Sequence, residues 1–303
     1  MQPLALPPNV LHRFYRGGAR IAAFRGIDVA DDHAPEEWLG STTTAWGEDE
    51  IGLSPLPDGR TVREAVAADP ESFLGPGVDE PEFLVKLLDA GERLPVHFHP
   101  GDAFARRELG LARGKTEAWL ILEGGEIAVG WREPVERAQV EAWVEEQDTG
   151  ALYAALTPAR VEPGDVVYVP AGAAHAIGAG IFMVEVQQAS DLSILLEWDG
   201  FALDGRRDGN LGLGLERALD ALSLAAGAPI VGNSLPPEAD AFFRAERVRG
   251  GDELDAAFSI VVGVDGSGAL GGVPLARGDA LLVPYGAGTT RVEGDVEAIR
   301  CLR

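Results

Sequence analysis

Gly164-Asp-Val-Val-Tyr-Val-Pro-Ala-Gly172 returns 114 residues later as Gly278-Asp-Ala-Leu-Leu-Val-Pro-Tyr-Gly286. Each copy reads as a Gly-Asp turn, a four-residue apolar strand and a Pro-x-Gly turn. Glycine admits the backbone turn, and proline, which lacks an N–H, ends the strand. Two copies of one β unit suggest two related β-barrels or sandwiches, not one long meander. Composition agrees: with 39 Gly and 20 Pro and only short apolar runs, the chain suits a turn-rich β protein better than a helix bundle.

The histidines single out the first copy. His97 and His99, two of five in the chain, stand two residues apart in Leu94-Pro-Val-His-Phe-His-Pro100. Strand side chains alternate, so both imidazoles share one face, with Val96 and Phe98 on the other. Glu117 follows eighteen residues on, and His175 comes just after the Pro170-Ala-Gly172 turn. Three neutral imidazoles and a carboxylate suit a divalent transition metal. A lone histidine is readily explained as a hydrogen-bonded core residue. Four ligand-type residues, each on a strand or just after a turn, match a metal site in identity and number. In the second copy Thr289 takes the place of His175, and no histidine follows.

Around these motifs the pattern predicts short strands at Ala19–Phe24 and Ser41–Trp46, and one helical turn at 35–40. Helices are expected at Thr61–Ala68, with Thr61 and Glu64 as a capping box, and at Pro70–Leu74. Phe83–Asp89 reads as a buried strand and Asp102–Leu109 as a helix. Glu117–Leu122 and Glu126–Trp131 read as a hairpin across Glu123-Gly-Gly125. Pro134–Glu146 is expected to be a helix with Val135, Ala138 and Ala142 as its apolar positions. Three short strands follow at Val166–Val169, Ala173–Ile177 and Ile181–Gln187, then a helix at Leu213–Ala225 and a Gly/Pro-rich linker at 227–237.

A formal charge of −24 argues against nucleic acid or an anionic membrane as a partner. The lone Cys301 excludes an intrachain disulfide and thiolate clusters. The proline-broken N-terminus does not read as a signal segment and no apolar run approaches a membrane span, so a cytoplasmic location is expected. Only two lysines occur, Lys86 and Lys115.

The pattern Gly164-x5-Pro170-x-Gly172-x2-His175 resembles the second cupin motif, and His97-x-His99 with Glu117 the first. Further stretches resemble one cupin branch, the type I mannose-6-phosphate isomerases. These are Leu84-Val-Lys-Leu-Leu-Asp-Ala90, Gly114-Lys-Thr-Glu117, Glu185-Val-Gln-Gln-Ala-Ser-Asp191 and Glu216-Arg-Ala-Leu-Asp220. The resemblance runs nearly end to end. It implies a mainly β fold with two cupin-like units (double-stranded β-helix, or jelly-roll) and α-helical insertions. The first unit would span 1–232 and carry the metal; the second, 233–303 with the linker, would carry none.

Carried over residue by residue, the resemblance puts the metal on His97, His99, Glu117 and His175, and catalytic polar groups at Lys115, Glu185 and Asp191. It implies an aldose–ketose isomerase acting through an enediol on mannose 6-phosphate, fructose 6-phosphate or a related sugar. Zinc is the first expectation for the cofactor. His97 stands where relatives have glutamine, and this nitrogen-rich set also brings in iron, manganese or nickel.

Three departures stand out: Leu195 replaces the family's catalytic arginine, Pro95 a serine that helps with phosphate, and Gly214 a histidine. Each removes a donor, and losing one positioned donor to a developing oxyanion commonly costs ~10²–10³ in rate. Arg106, Arg107, Arg206 and Arg207 are the candidates to restore charge. The alternatives are a non-catalytic, metal-containing sugar-binding or regulatory cupin, or an iron or manganese cupin oxidoreductase.

Overall fold

The chain folds into two units packed back to back, each built around eight strands in two facing sheets to which further strands add at the edges, as seen in a computed structural model describing residues 1–303. In the first unit, one sheet runs Val166–Val169, Glu117–Glu123, Phe182–Gln188, Phe83–Asp89. The facing sheet runs His97–Phe98, His175–Ile177, Gly125–Trp131, Leu156–Val161. The second unit repeats this order. Ala280–Val283, Ser259–Asp265, Glu297–Leu302 and Arg244–Arg249 face Glu253–Leu254, Thr290–Gly294, Ser267–Leu270 and Val273–Ala276. This is a cupin architecture, mainly β, with two cupin-like units.

The Gly-Asp repeat sets this plan locally. Gly164 and Gly278 adopt φ 99° and 93°, a region that favours glycine. Asp165 Oδ2 accepts from Glu162 N at 2.8 Å, and Asp279 Oδ2 from Ala276 N at 2.9 Å. The glycine N–H groups then bond Ile121 O and Gly263 O, both at 2.9 Å, anchoring the outgoing strand to its neighbour.

Strand alternation sends Trp119 and Ile121 into the first barrel, and Ala118 and Leu120 toward the second unit. There they meet Ile260, Val262, Leu282 and Ile299 in the largest apolar cluster of the molecule. Ile230–Gly232 pairs with Val166–Val169 of the first unit, whereas Leu4–Ala5 pairs with Ala280–Val283 of the second. We therefore propose a unit boundary at 232/233, with the N-terminal strand contributed across it.

Several local expectations are corrected. Ala19–Arg25 is a helix, burying Ile21 and Phe24 one turn apart. Asp89 Oδ2 accepts from the N–H groups of Gly18 and Arg20 at its N-terminus, at 2.8 and 2.9 Å. Glu36–Leu39 is a strand, not a helical turn, because pairing with Phe83–Asp89 and buried cationic partners override its local preference. Ser41–Trp46 forms no strand.

The expected hairpin is a corner instead: Glu117–Glu123 and Gly125–Trp131 lie in different sheets. A Cβ on Gly124 would sit 2.2 Å from Val161 O, so only glycine fits that crossing. Helix Arg137–Glu146 buries Val140 and Val144, leaving Ala138 and Ala142 exposed. Past Gly214 the helix is only Leu215–Ala218 with a 3-10 turn, and the expected linker contains the Ile230–Gly232 strand. Helix Thr149–Ala155 and strand Leu156–Val161 were not anticipated. No helix is long and apolar enough to cross a membrane.

Candidate metal centre and its cavity

Cross-strand pairing places His97 directly opposite His175, and His99 follows one residue beyond the short His97–Phe98 strand. The three rings lie 4.1–5.1 Å apart by centroid, and each offers a nitrogen within 4.8 Å of the others. Each Nδ1 meets a backbone carbonyl: His97 that of Pro95 at 2.8 Å, His99 that of Leu192 at 2.7 Å, His175 that of Ala173 at 2.9 Å. A carbonyl can only accept, so the proton belongs on Nδ1 and the Nε2 lone pair is free.

Glu117 joins this group, with Oε2 3.0 Å from His99 Nε2 and Oε1 3.3 Å from His175 Nε2. Trp119 Nε1 donates to Oε1 at 3.0 Å and fixes the carboxylate. Yet His99 Nε2 and His175 Nε2 are buried without a hydrogen-bonding partner, and Glu117 Oε2, between them and Lys115, has only that ammonium 3.0 Å away to offset its charge. Buried polar atoms are seldom left so, and converging lone pairs on three imidazoles and a carboxylate fit a divalent cation. Burial and the neighbouring imidazoles hold His97 well below the usual histidine range. Burial and Lys115 push His99 down to about 3. Burial opposes ionisation of Glu117, but Lys115 and His99 outweigh it and keep the carboxyl well below its ordinary value.

From Glu117 a ladder of alternating charges runs outward. Lys115 Nζ lies 3.0 Å from Glu117 and 3.7 Å from Glu185. Lys86 Nζ lies 3.8 Å from Glu185, 3.3 Å from Glu36 and 3.9 Å from Asp191. Arg13 closes the ladder through Nη2, 3.1 Å from Glu36 and 3.0 Å from Asp191. Tyr15 and Trp38 donate to Glu36. Glu185 Oε1 accepts no hydrogen bond, and burial with the nearby Glu117 charge, offset by Lys86 and Lys115, puts its pKa up to about 7.

Lys115, Glu185 and Asp191 thus stand together beside the four ligand candidates, and all three line a cavity of about 560 Å³ that His97 and Glu117 also reach. Arg13, Glu36 and Lys86 were not singled out from the sequence. The available signal was Lys86, one of two lysines, set in the otherwise apolar Phe83–Leu88 run. Of the four arginines considered for restoring charge, only Arg207 lines the cavity, and Asp208 holds it at 2.8 and 2.7 Å. Arg106, Arg107 and Arg206 bond elsewhere, to Ala112 O, Glu108 and Glu145 O. Leu195, paired opposite His97, is part of the apolar wall.

No protein-family model matches the chain. It is 31% identical over 192 residues to a probable mannose-6-phosphate isomerase of Bacillus subtilis, GmuF, a match covering 62% of this chain and 59% of that relative. Over 231 residues it is 31% identical to the mannose-6-phosphate isomerase of Streptococcus mutans, covering 74% of this chain and 68% of that one. The B. subtilis enzyme ManA aligns over 98% of both chains at 27% identity. Among solved structures, a B. subtilis mannose 6-phosphate isomerase superposes over the full length of both chains with TM-score 0.80 at 24% identity. A putative mannosephosphate isomerase of Archaeoglobus fulgidus gives 0.76 at 21%, covering all of this chain and 98% of that one.

Proposed function

The chain belongs to the mannose-6-phosphate isomerase family, and from that premise we propose that it is a metal-dependent aldose–ketose isomerase acting on a sugar or sugar phosphate. One observation carries this reading. A buried set of converging ligand atoms, His99 Nε2, His175 Nε2 and the Glu117 carboxylate, stands next to a second carboxylate, Glu185, whose Oε1 accepts no hydrogen bond and which lines the cavity.

His97, His99, Glu117 and His175 would hold the metal. When bound, it supplies a Lewis acid that orders sugar oxygens and offsets negative charge developing on them. Zinc is the ion proposed first, because one mannose 6-phosphate isomerase structure sharing this fold is bound with zinc and yttrium. Glu185 Oε1 is the proposed proton carrier, taking the proton from one carbon of the aldose and returning it to the adjacent carbon of the enediol. Its burial, the first cause of its raised pKa, suits a carboxyl group that must both accept and release a proton. Lys115, kept charged by Glu117 and Glu185 despite burial, is placed to donate to the substrate oxygen that gains charge. Asp191, tied to Arg13 and Lys86, orients the far side of the sugar.

Hydrogen exchange at carbon 2 in deuterated water, followed by NMR with metal-loaded protein, tests this. Exchange on at least one aldose or aldose phosphate is expected. No exchange on any of a panel of hexoses, pentoses and their phosphates overturns it.

A further inference from the structure

Six tryptophans occur in the chain, and the fold takes up five of them. Trp38, Trp119 and Trp131 are fully buried, and Trp143 and Trp198 pack against an apolar cluster. Trp46 is 43% exposed, and it lines the same cavity that His97, Glu117 and Glu185 reach. Resting on the isomerase reading above, we propose that Trp46 is a specificity-determining residue whose indole closes over the apolar C–H face of the bound sugar.

The backbone on both sides of Trp46 is fixed. Ala45 is buried with Leu11, Trp38 and Leu84, and its N–H bonds Ile51 O at 2.8 Å. Gly47, at φ 81°, makes the turn that follows and also lines the cavity. The Trp46 N–H donates to Asp191 Oδ2 at 3.1 Å, and Arg13 Nη2 holds the same carboxylate at 3.0 and 3.1 Å. Residue 46 is thus tied through its main chain to a carboxylate of the site, while its side chain is left uncovered. Burial in a core accounts for the other five tryptophans and not for this one.

A sugar carries hydroxyls along its edges and C–H groups on its faces. The charged ladder can hydrogen-bond the hydroxyls, which leaves a C–H face for an apolar surface. An indole face has negative charge density, and C–H groups polarised by their oxygens complement it. Covering the indole also removes apolar surface from water. Asp191 orients the far side of the sugar, so Trp46, bonded to it, meets carbons that do not react. A contact of this kind is equally strong in the ground state and the transition state. It lowers KM and leaves kcat alone. A terminal phosphate is compatible with it, because the contact uses the carbon skeleton.

Trp46→Ala keeps the N–H on Asp191 and removes only the indole; Trp46→Phe keeps an aromatic face. Both are compared with the parent, metal-loaded, by carbon-2 exchange on the aldose or aldose phosphate that the parent turns over fastest. In Trp46→Ala, KM should rise ~10-fold with kcat within about twofold and metal content unchanged, and Trp46→Phe should recover most of the loss. In parallel, mannitol and mannitol 6-phosphate, which cannot isomerise, are titrated by calorimetry and by tryptophan fluorescence. The fluorescence change seen with the parent should be lost in Trp46→Phe. An unchanged KM in Trp46→Ala, or a fall in kcat without a rise in KM, overturns the proposal and leaves the isomerase reading standing. With no exchange by the parent on any sugar the isomerase reading falls, and binding decides. Weaker binding of either polyol by Trp46→Ala then upholds the contact; equal binding, or no binding by the parent, overturns it.

Discussion

Opposite Val169 the first unit carries Glu117; opposite Val283, at the same point of the same ladder, the second carries Ser259. Two residues along, the first pairs Trp119 with Glu185, and the second pairs Val261 with Arg300. Where His175 faces His97, Thr290 faces Leu254. The strand register thus makes Thr290, one position beyond Thr289, the counterpart of His175. Arg300 spends its donors inside the second barrel, on Ser259 Oγ at 3.2 Å and Asp255 O at 2.6 Å, with Glu246 3.5 Å away. The rest of that interior is apolar, with Leu254, Val261, Leu270, Leu275, Val283 and Val292 among the side chains that fill it. One backbone plan therefore encloses an open polar cavity in one unit and a filled core in the other. The plan is set by glycine turns and strand register, the chemistry by a few inward positions.

The largest effect expected from this contrast is at the imidazoles. His175→Ala should lose bound metal, read by elemental analysis, and at least ~10² in turnover, since even partners of a ligand commonly cost 10–100-fold. Thr290→Val in the second barrel should change neither. Retained metal in the His175 variant would break the assignment of the centre. Next, Glu185→Gln should keep its metal and lose ~10²–10⁴ in turnover, the range for a positioned acid–base group. Arg300→Met should leave turnover unchanged and cost about 1–3 kcal/mol in denaturant unfolding, because Asp255 O and Glu246 lose a buried donor.

A third test uses pH. Glu185 ionises near its ordinary value of 4.5 when unfolded, but only at about 7 in the folded, metal-free protein. Below pH 4.5 both states hold the proton and no penalty exists. As pH rises through 7 the fold must either keep a proton that the unfolded chain has released or bury a charge. By pH 8 this costs about 3 kcal/mol. Metal-free Glu185→Gln should therefore be more stable than the parent at pH 8 and equal to it near pH 4, measured by thermal or urea unfolding. An advantage that does not grow with pH would show that Lys86 and Lys115 offset the burial fully.

How much of this contrast could be read from the chain follows from the range of the signals. The Gly-Asp repeat, the His-x-His pair, Glu117 and His175 are local motifs and could be read directly. Lys115, Glu185 and Asp191 came through resemblance, and they stand together in the cavity. Arg13 and Glu36 could not be found, because their meaning depends on partners 178 and 50 residues away, Asp191 and Lys86. The Pro35-Glu-Glu stretch looks like a solvated helix start until Arg13, Arg25 and Lys86 are brought to it. Likewise Glu123-Gly-Gly125 carries a hairpin's sequence at a barrel corner, since a local turn signal does not encode which sheet the next strand joins.

The smallest effect bears on what the two units share. Asp165 and Asp279 each accept one backbone N–H in equivalent turns, at 2.8 and 2.9 Å. Asp165→Ala and Asp279→Ala should each cost about 1 kcal/mol, the net worth of one such bond. Neither turn touches the metal centre, so turnover and metal content should hold. The units also share the apolar cluster that joins Ala118 and Leu120 to Ile260 and Leu282, and neither could unfold without exposing it. Unfolding should therefore be one transition, and the double variant should add the two single costs to within ~0.5 kcal/mol. Two transitions, with Asp279→Ala moving only one of them, would show that the shared cluster does not couple the units. The second barrel would then be a separable module and not the wall against which the first is built.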